Sequence, residues 1–463
     1  MKDDELLTFV EQFRLLTRMA DERLPPAGHR PSALVDRLTD HLGFAALELP
    51  VVTEAFPAYD HANVQVAIDA WRAEHGEGFL YGISGPGREH HSLTELLSGF
   101  RYFSLGAVDY TNVPVSAEAE LTCVRFGLYL LVTADGGPLA VLMRGADPRR
   151  DEPGVRLEVL CRQVEAAHAF LVEIHELIRR RNVFRGQVLS FGAHQFGPGA
   201  GPLGFHRRPT VDRTDIVLPD GVLESVERQV IGVALHRERL REAGHPLKRG
   251  VLLFGPPGTG KTHTVRYFIS RLPEFTVVQL SGIGLQSIRE ACALARLVQP
   301  TLVVLEDIDL VAESRSMRSG MDNPLLFQVL NELDGLAGDA DVAFLLTTNR
   351  VDLLEPALAQ RPGRVDLAVE VPLPDAAGRR ALLDLYGRGL RLTPDECAEI
   401  VQCTDGATAS FFTELARRAQ LLAASNGDDR TGMTHVRAAL AELTATREAL
   451  AGSIQAGRPS TRR

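Results

Sequence analysis

The stretch Val251-Leu-Leu-Phe-Gly-Pro-Pro-Gly-Thr-Gly-Lys-Thr262 decides the fold. Its apolar opening has the length and character of a buried strand. The remainder, Gly255, Pro256, Pro257, Gly258, Thr259, Gly260, Lys261 and Thr262, fits G-x-x-x-x-G-K-[ST]. His263 leads into the helical pattern of Val265-Arg-Tyr-Phe-Ile269. Strand, loop and helix in that order form a cradle for nucleotide phosphates. The glycines let backbone amides turn toward the phosphate oxygens, and the helix amino end adds partial positive charge. Lys261 is expected to bridge the outer phosphates and Thr262 to ligate magnesium.

Downstream, Thr301-Leu-Val-Val-Leu-Glu-Asp-Ile-Asp-Leu310 is a second buried strand, and it ends in acids. One carboxylate must hold the magnesium hydration shell, and another must orient and deprotonate the attacking water. By register Glu306 takes the first task and Asp307 the second, so Asp307 is read as the base. Both are read as contributing to the magnesium site. Further strands are expected at Thr276–Leu280, Val342–Thr347 and Leu367–Val371, with helices between them. Five short apolar strands alternating with helices predict a parallel five-stranded α/β sheet between helical layers. Ligands of such sheets sit at the carboxyl ends of the strands. The loop at 255–262, the two acids and Asn349 all fall there.

The surrounding composition sets limits. A chain of 463 residues is long enough for two or three domains. Its formal net charge of -10 weighs against nucleic acid or an anionic membrane surface as a partner. The five cysteines have neither zinc-ligand nor redox spacing and read as inert thiols of a reducing compartment. No leader pattern or membrane-length apolar run is present, so a cytoplasmic protein is expected.

The sequence divides into five parts. Residues 1–195 form a mixed α/β domain of unassigned role, and 196–211 form a glycine- and proline-rich linker centred on Phe196–Gly204. Residues 212–374 make the nucleotide-binding core, 375–445 a helical lid and 446–463 a polar tail. In the first part, residues 4–22 read as an amphipathic helix. Leu121–Thr133 and Leu139–Arg144 read as strands flanking a hairpin turn at Ala134–Pro138. Residues 155–181 carry Leu157, Leu160, Val164, Ala167, Leu171, Ile174 and Ile178 at steps that predict one long helix. That helix packs either on its own domain or against a second subunit.

Together these residues resemble the AAA family of ATPases over roughly 212–425. The most specific portion is Thr348-Asn-Arg-Val-Asp-Leu-Leu-Glu-Pro-Ala-Leu-Ala-Gln-Arg-Pro-Gly-Arg-Val-Asp366, which is similar to the family's second region of homology. The resemblance implies ATP and Mg2+ as ligands and ATP hydrolysis as the reaction. It gives Asn349 a sensor role and makes Arg361 and Arg364 arginine fingers that reach a neighbouring subunit's phosphate. A hexameric ring acting on a protein client would follow. It also implies that Asp215-Ile216 lies near the adenine, and that the small-residue turn Ala407-Thr-Ala-Ser410, with Ala409, lies near the nucleotide.

Two departures stand out. The Glu306-Asp307 order reverses the usual pair and is similar to that of mitochondrial respiratory-chain AAA assembly factors. The segment Ser281-Gly-Ile-Gly-Leu-Gln-Ser287 has no aromatic where ring unfoldases carry a gripping loop. Ile283 and Leu285 either project into a pore or are core. The alternative to a remodelling ring is a nucleotide-gated assembly switch with little threading.

Overall fold

The computed structural model describes residues 33–99, 102–146, 154–192, 203–309, 331–332, 335, 340–350 and 365–456, the side chains of 446–456 excepted. The chain divides into two units. One comprises residues up to Pro114 with Glu120–Asn182, and the other Val115–Ala119 with Val183–Arg463.

The first unit is built on an antiparallel sheet. Its strands are β1 (Val51–Pro57), β2 (Phe79–Ser84), β3 (Ser104–Gly106), β4 (Asp109–Pro114), β5 (Glu120–Val132), β6 (Pro138–Arg144) and β7 (Gly154–Cys161). They run in the order β1-β7-β6-β5-β2-β3, with β4 also beside β5. The hairpin expected at Ala134–Pro138 is present. Val132 pairs with Pro138, and Gly136 takes a positive φ of 86° that suits a tight turn.

The helix expected over 155–181 is two elements. Val155–Cys161 lies in β7, paired with β1 and β6, and a helix runs only over Val164–Arg180. The step from Leu157 to Leu160 matches a helical period, but Val155, Leu157, Val159 and Cys161 also alternate. That short run of β-branched and apolar residues satisfies strand and helix alike. Tertiary pairing selects the strand. The true helix buries Ala167, Phe170, Leu171, Ile174, Leu177 and Ile178. It packs on helix His61–His75 and on β1 and β7, so its apolar stripe is covered within its own unit.

The second unit carries the expected parallel sheet, with two strands more than the five predicted. The order is β14 (Leu367–Glu370), β10 (Arg249–Phe254), β13 (Val342–Thr348), β12 (Thr301–Glu306), β11 (Thr276–Ser281), β8 (Val188–Phe191) and β9 (Leu203–His206). All neighbours are parallel except β8 and β9. The extra pair moves the start of this unit forward, to Val183. The glycine- and proline-rich stretch joins two strands of one sheet, and Leu203–His206, inside the expected linker, is one of them.

Strands β10, β12 and β13 are buried nearly throughout, because helices cover both faces of a parallel sheet. Helix Lys261–Arg271 buries Val265, Phe268 and Ile269 in the core formed by Val251, Leu253, Val304 and Leu345. Beyond β14 the chain becomes helical. Ala376–Tyr386, Pro394–Cys403, Ala409–Asn426 and Met433–Ala456 enclose a small core of Leu382, Leu383, Ile400, Phe412, Leu415 and Val436. Their starts are set by local chemistry. Asp375 accepts from the Gly378 amide, and Thr393 with Glu396 forms a capping box ahead of Pro394. Among the described residues no helix is long and apolar enough to cross a membrane.

Candidate nucleotide site

Register brings the site together. Phe254, the last residue of β10, lies opposite Thr348 of β13, and Leu305 of β12 lies opposite Leu346. The loop after β10, the acids at the end of β12 and Asn349 after β13 therefore emerge side by side at the carboxyl ends of the strands. The expectation that these three motifs converge is met in the geometry.

The loop is shaped by glycine. Gly255, Gly258 and Gly260 have φ of 146°, 78° and 108°, values that a side chain disfavours. A Cβ on Gly255 would come within 2.2 Å of the Val371 carbonyl oxygen, and one on Gly258 within 2.5 Å of Ser410 Oγ. Pro256 and Pro257 carry the chain between these bends. The Thr259 hydroxyl donates to the Pro256 carbonyl at 2.9 Å and steadies the turn.

Lys261 opens the following helix and is buried. Its ammonium donates to the carbonyls of Gly255 (2.7 Å) and Pro256 (2.9 Å) and to Asn349 Oδ1 (2.8 Å). Burial pushes its pKa below the usual lysine value, and the nearby carboxylates of Asp307 and Asp309 oppose that shift. The Lys261 cation thus sits at the centre of the three converging segments. Arriving phosphates would replace these neutral acceptors.

Thr262 is exposed and His263 half-buried, one after the other at the helix start. The Glu306 carboxylate accepts a hydrogen bond from Thr262. Burial raises the Glu306 pKa above the ordinary carboxylate value, the Thr262 bond opposes this, the Asp307 charge adds to it and Arg266 lowers it. Its Oε1 is buried and has no hydrogen-bond partner. An orphaned buried carboxylate oxygen next to a threonine hydroxyl fits a divalent cation. Among the described residues no group of three or more His, Cys, Asp or Glu could hold a metal by itself. A cation here would therefore complete its shell with phosphate oxygens and water, as magnesium does.

Asp307 is the only non-glycine residue with positive φ among the described residues, at 50°. Its amide donates to Thr347 Oγ1 at 3.0 Å. Asn349 Nδ2 lies 3.4 Å from Asp307 Oδ1, so the expected base and the expected sensor are neighbours. Asp309, which motif reading passes over, is buried behind them. It accepts from Thr348 Oγ1 at 2.9 Å and from the Asn349 amide at 3.0 Å. The signal was available in Asp309, a third acid after Glu306 and Asp307.

A cavity of about 280 Å³ opens beside Thr259. Val217, Leu218, Pro372, Ala381, Leu382 and Ala409 are among its walls. Ala409 of the small-residue turn is thus one wall of this cavity. Asp215 and Ile216 stop short of it. Asp215 accepts from the Asp212 amide in a capping turn, and Ile216 packs on the sheet core, leaving the next two residues to line the cavity. Arg361 and Arg364 lie outside the described residues. Of the two apolar residues after β11, Ile283 is 66% exposed and Leu285 is 1% exposed. Leu285 is therefore core, and Ile283 is displayed.

Residues 251–373 match the family described as "ATPase family associated with various cellular activities (AAA)". Similar proteins include the chloroplastic "ATP-dependent zinc metalloprotease FTSH 1" of Oryza sativa subsp. japonica. It is 31% identical over 342 residues, which cover 66% of this chain and 50% of the relative. "ATP-dependent zinc metalloprotease FtsH" of Acidothermus cellulolyticus is 34% identical over 234 residues, covering 48% of this chain and 35% of the relative. The "26S proteasome regulatory subunit 8 homolog" of Schizosaccharomyces pombe is 31% identical over 230 residues, covering 44% and 57%. The chain thus spans half or less of the length of these two metalloproteases. The domain defines the class: a P-loop nucleotide-binding protein of the α/β type. Residues 251–373 of this chain thus form a domain of the AAA family of ATPases.

Proposed function

We propose that this chain binds ATP with magnesium, hydrolyses it, and uses the cycle to remodel a protein client as part of a ring. The observation that carries the reading is the meeting of Lys261, Asn349 and Asp307 at the carboxyl ends of the strands, beside a Glu306 oxygen that lacks a partner. In this reading Gly255–Thr262 cradle the phosphates, with Lys261 on the outer ones. Thr262 and Glu306 hold the magnesium with Asp307 close by, and the cation supplies charge neutralisation on the phosphates. Asp307 takes the proton of the attacking water while Asn349 orients it. The cavity lined by Val217, Leu218 and Ala409 takes the adenine, with Asp215 and Ile216 shaping its approach from the preceding turn. His263 follows Thr262 at the helix start and flanks the phosphate site.

Arg361 and Arg364 act across a subunit boundary in this proposal, which makes self-association, in a hexameric ring, a condition of full activity. Names of relatives that describe ATP-dependent proteolysis and a proteasome regulatory subunit support a protein client over nucleic acid. The exposed Ile283 is available for weak client contact from the segment after β11. A cytoplasmic setting accords with the absence of a membrane-length helix among the described residues. The second reading, an ATP-gated assembly switch with little threading, draws support from the missing aromatic at Ser281–Ser287.

The test is ATP turnover per subunit across protein concentrations with magnesium, alongside sedimentation. A rate that climbs and saturates as the ring assembles supports the proposal. ATP binding without turnover at any concentration refutes hydrolysis and leaves the switch.

A further inference from the structure

Asp307 and Asn349 come from different strands, yet their placement rests on two buried side chains that no motif marks. The ladder between β12 and β13 runs as far as Leu305 opposite Leu346. One residue further on β13, a side chain takes over from the backbone. Thr347 is 1% exposed and its Oγ1 accepts the Asp307 amide at 3.0 Å. This bond stands where Asp307 turns into the left-handed region, at φ 50°. Such a conformation is disfavoured for most side chains, less so for aspartate, and persists when neighbours hold it.

Asp309 works from the other side. It is 4% exposed, a burial that a carboxylate tolerates only when its oxygens are occupied. Thr348 Oγ1 (2.9 Å) and the Asn349 amide (3.0 Å) share Oδ1, and Asn349 Nδ2 lies 3.5 Å from Oδ2. Asn349 is thereby turned so that its Oδ1 meets Lys261 at 2.8 Å and its Nδ2 faces Asp307.

We propose that Thr347 and Asp309 are positioning residues that lock Asp307 and Asn349 into a single arrangement. Removing either loosens the geometry of water attack while leaving the nucleotide cradle intact. The inference rests on the hydrolytic reading above. Thr347 holds Asp307 through its backbone amide, and Asp309 acts through Thr348 and Asn349, so each works through another group. Each contributes through the fixed relation of the other two groups.

The experiment compares the unaltered 463-residue chain with Thr347→Val, Thr347→Ser and Asp309→Asn. It measures kcat and KM for ATP, affinity for a non-hydrolysable ATP analogue with magnesium by calorimetry, and the thermal midpoint. Valine keeps the volume of threonine and removes the acceptor; serine keeps the acceptor. Expected is a loss in kcat of roughly tenfold or more for Thr347→Val and Asp309→Asn, with analogue affinity within about threefold of the unaltered chain. Thr347→Ser should recover most of the rate. Turnover of Thr347→Val within about twofold of the unaltered chain overturns the inference and leaves the hydrolytic reading standing. So does a parallel fall of rate, affinity and thermal midpoint that serine does not rescue, because the hydroxyl then serves only the fold. An unaltered chain that binds the analogue but never turns over ATP refutes both proposals.

Discussion

Alanine placed at three glycines of the phosphate loop should separate backbone strain from collision, because their surroundings differ while their φ values are all positive. At Gly260 (φ 108°) nothing lies within 4 Å of an added Cβ, so the cost is conformational alone, about 1–2 kcal/mol. At Gly258 the Cβ would stand 2.5 Å from Ser410 Oγ and 3.1 Å from Thr408 Oγ1. Both are ends of small side chains that can rotate, which adds roughly 1 kcal/mol. They also bond each other at 3.0 Å at the start of helix Ala409–Asn426, so nucleotide affinity should fall with stability. At Gly255 the Cβ would meet the Val371 carbonyl oxygen at 2.2 Å and its carbon at 3.0 Å. That peptide cannot yield cheaply, since the Val371 amide donates to the Phe254 carbonyl at 2.7 Å and continues the sheet. The expected loss exceeds about 4 kcal/mol, in the range reserved for core disruption.

Urea denaturation can resolve the series if the two units are read separately. Trp71 is the sole tryptophan and is buried in the first unit, so its fluorescence follows that unit. Loss of far-ultraviolet dichroism without a change in that fluorescence reports the second unit. The order of destabilisation should be Gly255→Ala, then Gly258→Ala, then Gly260→Ala. Gly255→Ala and Gly260→Ala transitions within about 1 kcal/mol of each other would refute the collision argument.

Three further outcomes are expected. Lys261→Met removes a cation with three neutral acceptors and should weaken ATP binding by about 100-fold or more, measured by titration of a fluorescent ATP analogue, with little change in unfolding. Asp307→Asn should lower turnover by a factor of roughly 10² or more while ATP still binds, since the amide keeps the shape and loses the base; wild-type turnover in this variant would remove Asp307 from that role. In the first unit, burial lifts the Asp60 carboxyl from 3.8 to about 6, against the opposing effects of the Asn63 bond and the His175 charge. A carboxyl raised on folding contributes its stabilisation fully below the unfolded value and loses it as pH rises through the folded one. Fluorescence-detected stability of that unit should therefore climb by at most about 3 kcal/mol between neutrality and pH 4 from this group, and Asp60→Asn should flatten the climb.

What could be read from the chain alone follows a physical divide. The loop, the acids and Asn349 announce themselves because each sits directly after a buried apolar run, and a parallel sheet brings the ends of such runs together. Thr347 and Asp309 do not, since their partners are fixed by the register between β12 and β13, which periodicity leaves open. The domain boundary was misplaced for a related reason. Glycine and proline predict a break in regular structure, but β8 ends before Phe196–Gly204 and β9 begins within it, and both are strands of the same sheet. Val188–Phe191 is too short a run to signal a strand before its pairing with β11 is known. Over 155–161 the same residues satisfy two periods, and only the neighbours β1 and β6 decide between them.

The order of the two acids suits the backbone that carries them. The second acid occupies a left-handed position, φ 50°, and aspartate enters that region more readily than a longer side chain because its short carboxylate can bond locally. The first acid must reach across to Thr262 on the helix of the phosphate loop, and the extra methylene of Glu306 suits that span. Order and backbone are therefore matched: a short acid where the chain bends sharply, a long one where it must reach. Exchanging the two, Glu306→Asp with Asp307→Glu, restores the commoner order on paper but strains the turn and withdraws the carboxylate from Thr262. The doubly exchanged chain should be less stable and slower than the chain as it stands. If it proves faster, with stability unchanged, the turn at Asp307 carries no preference and the order has no structural reason.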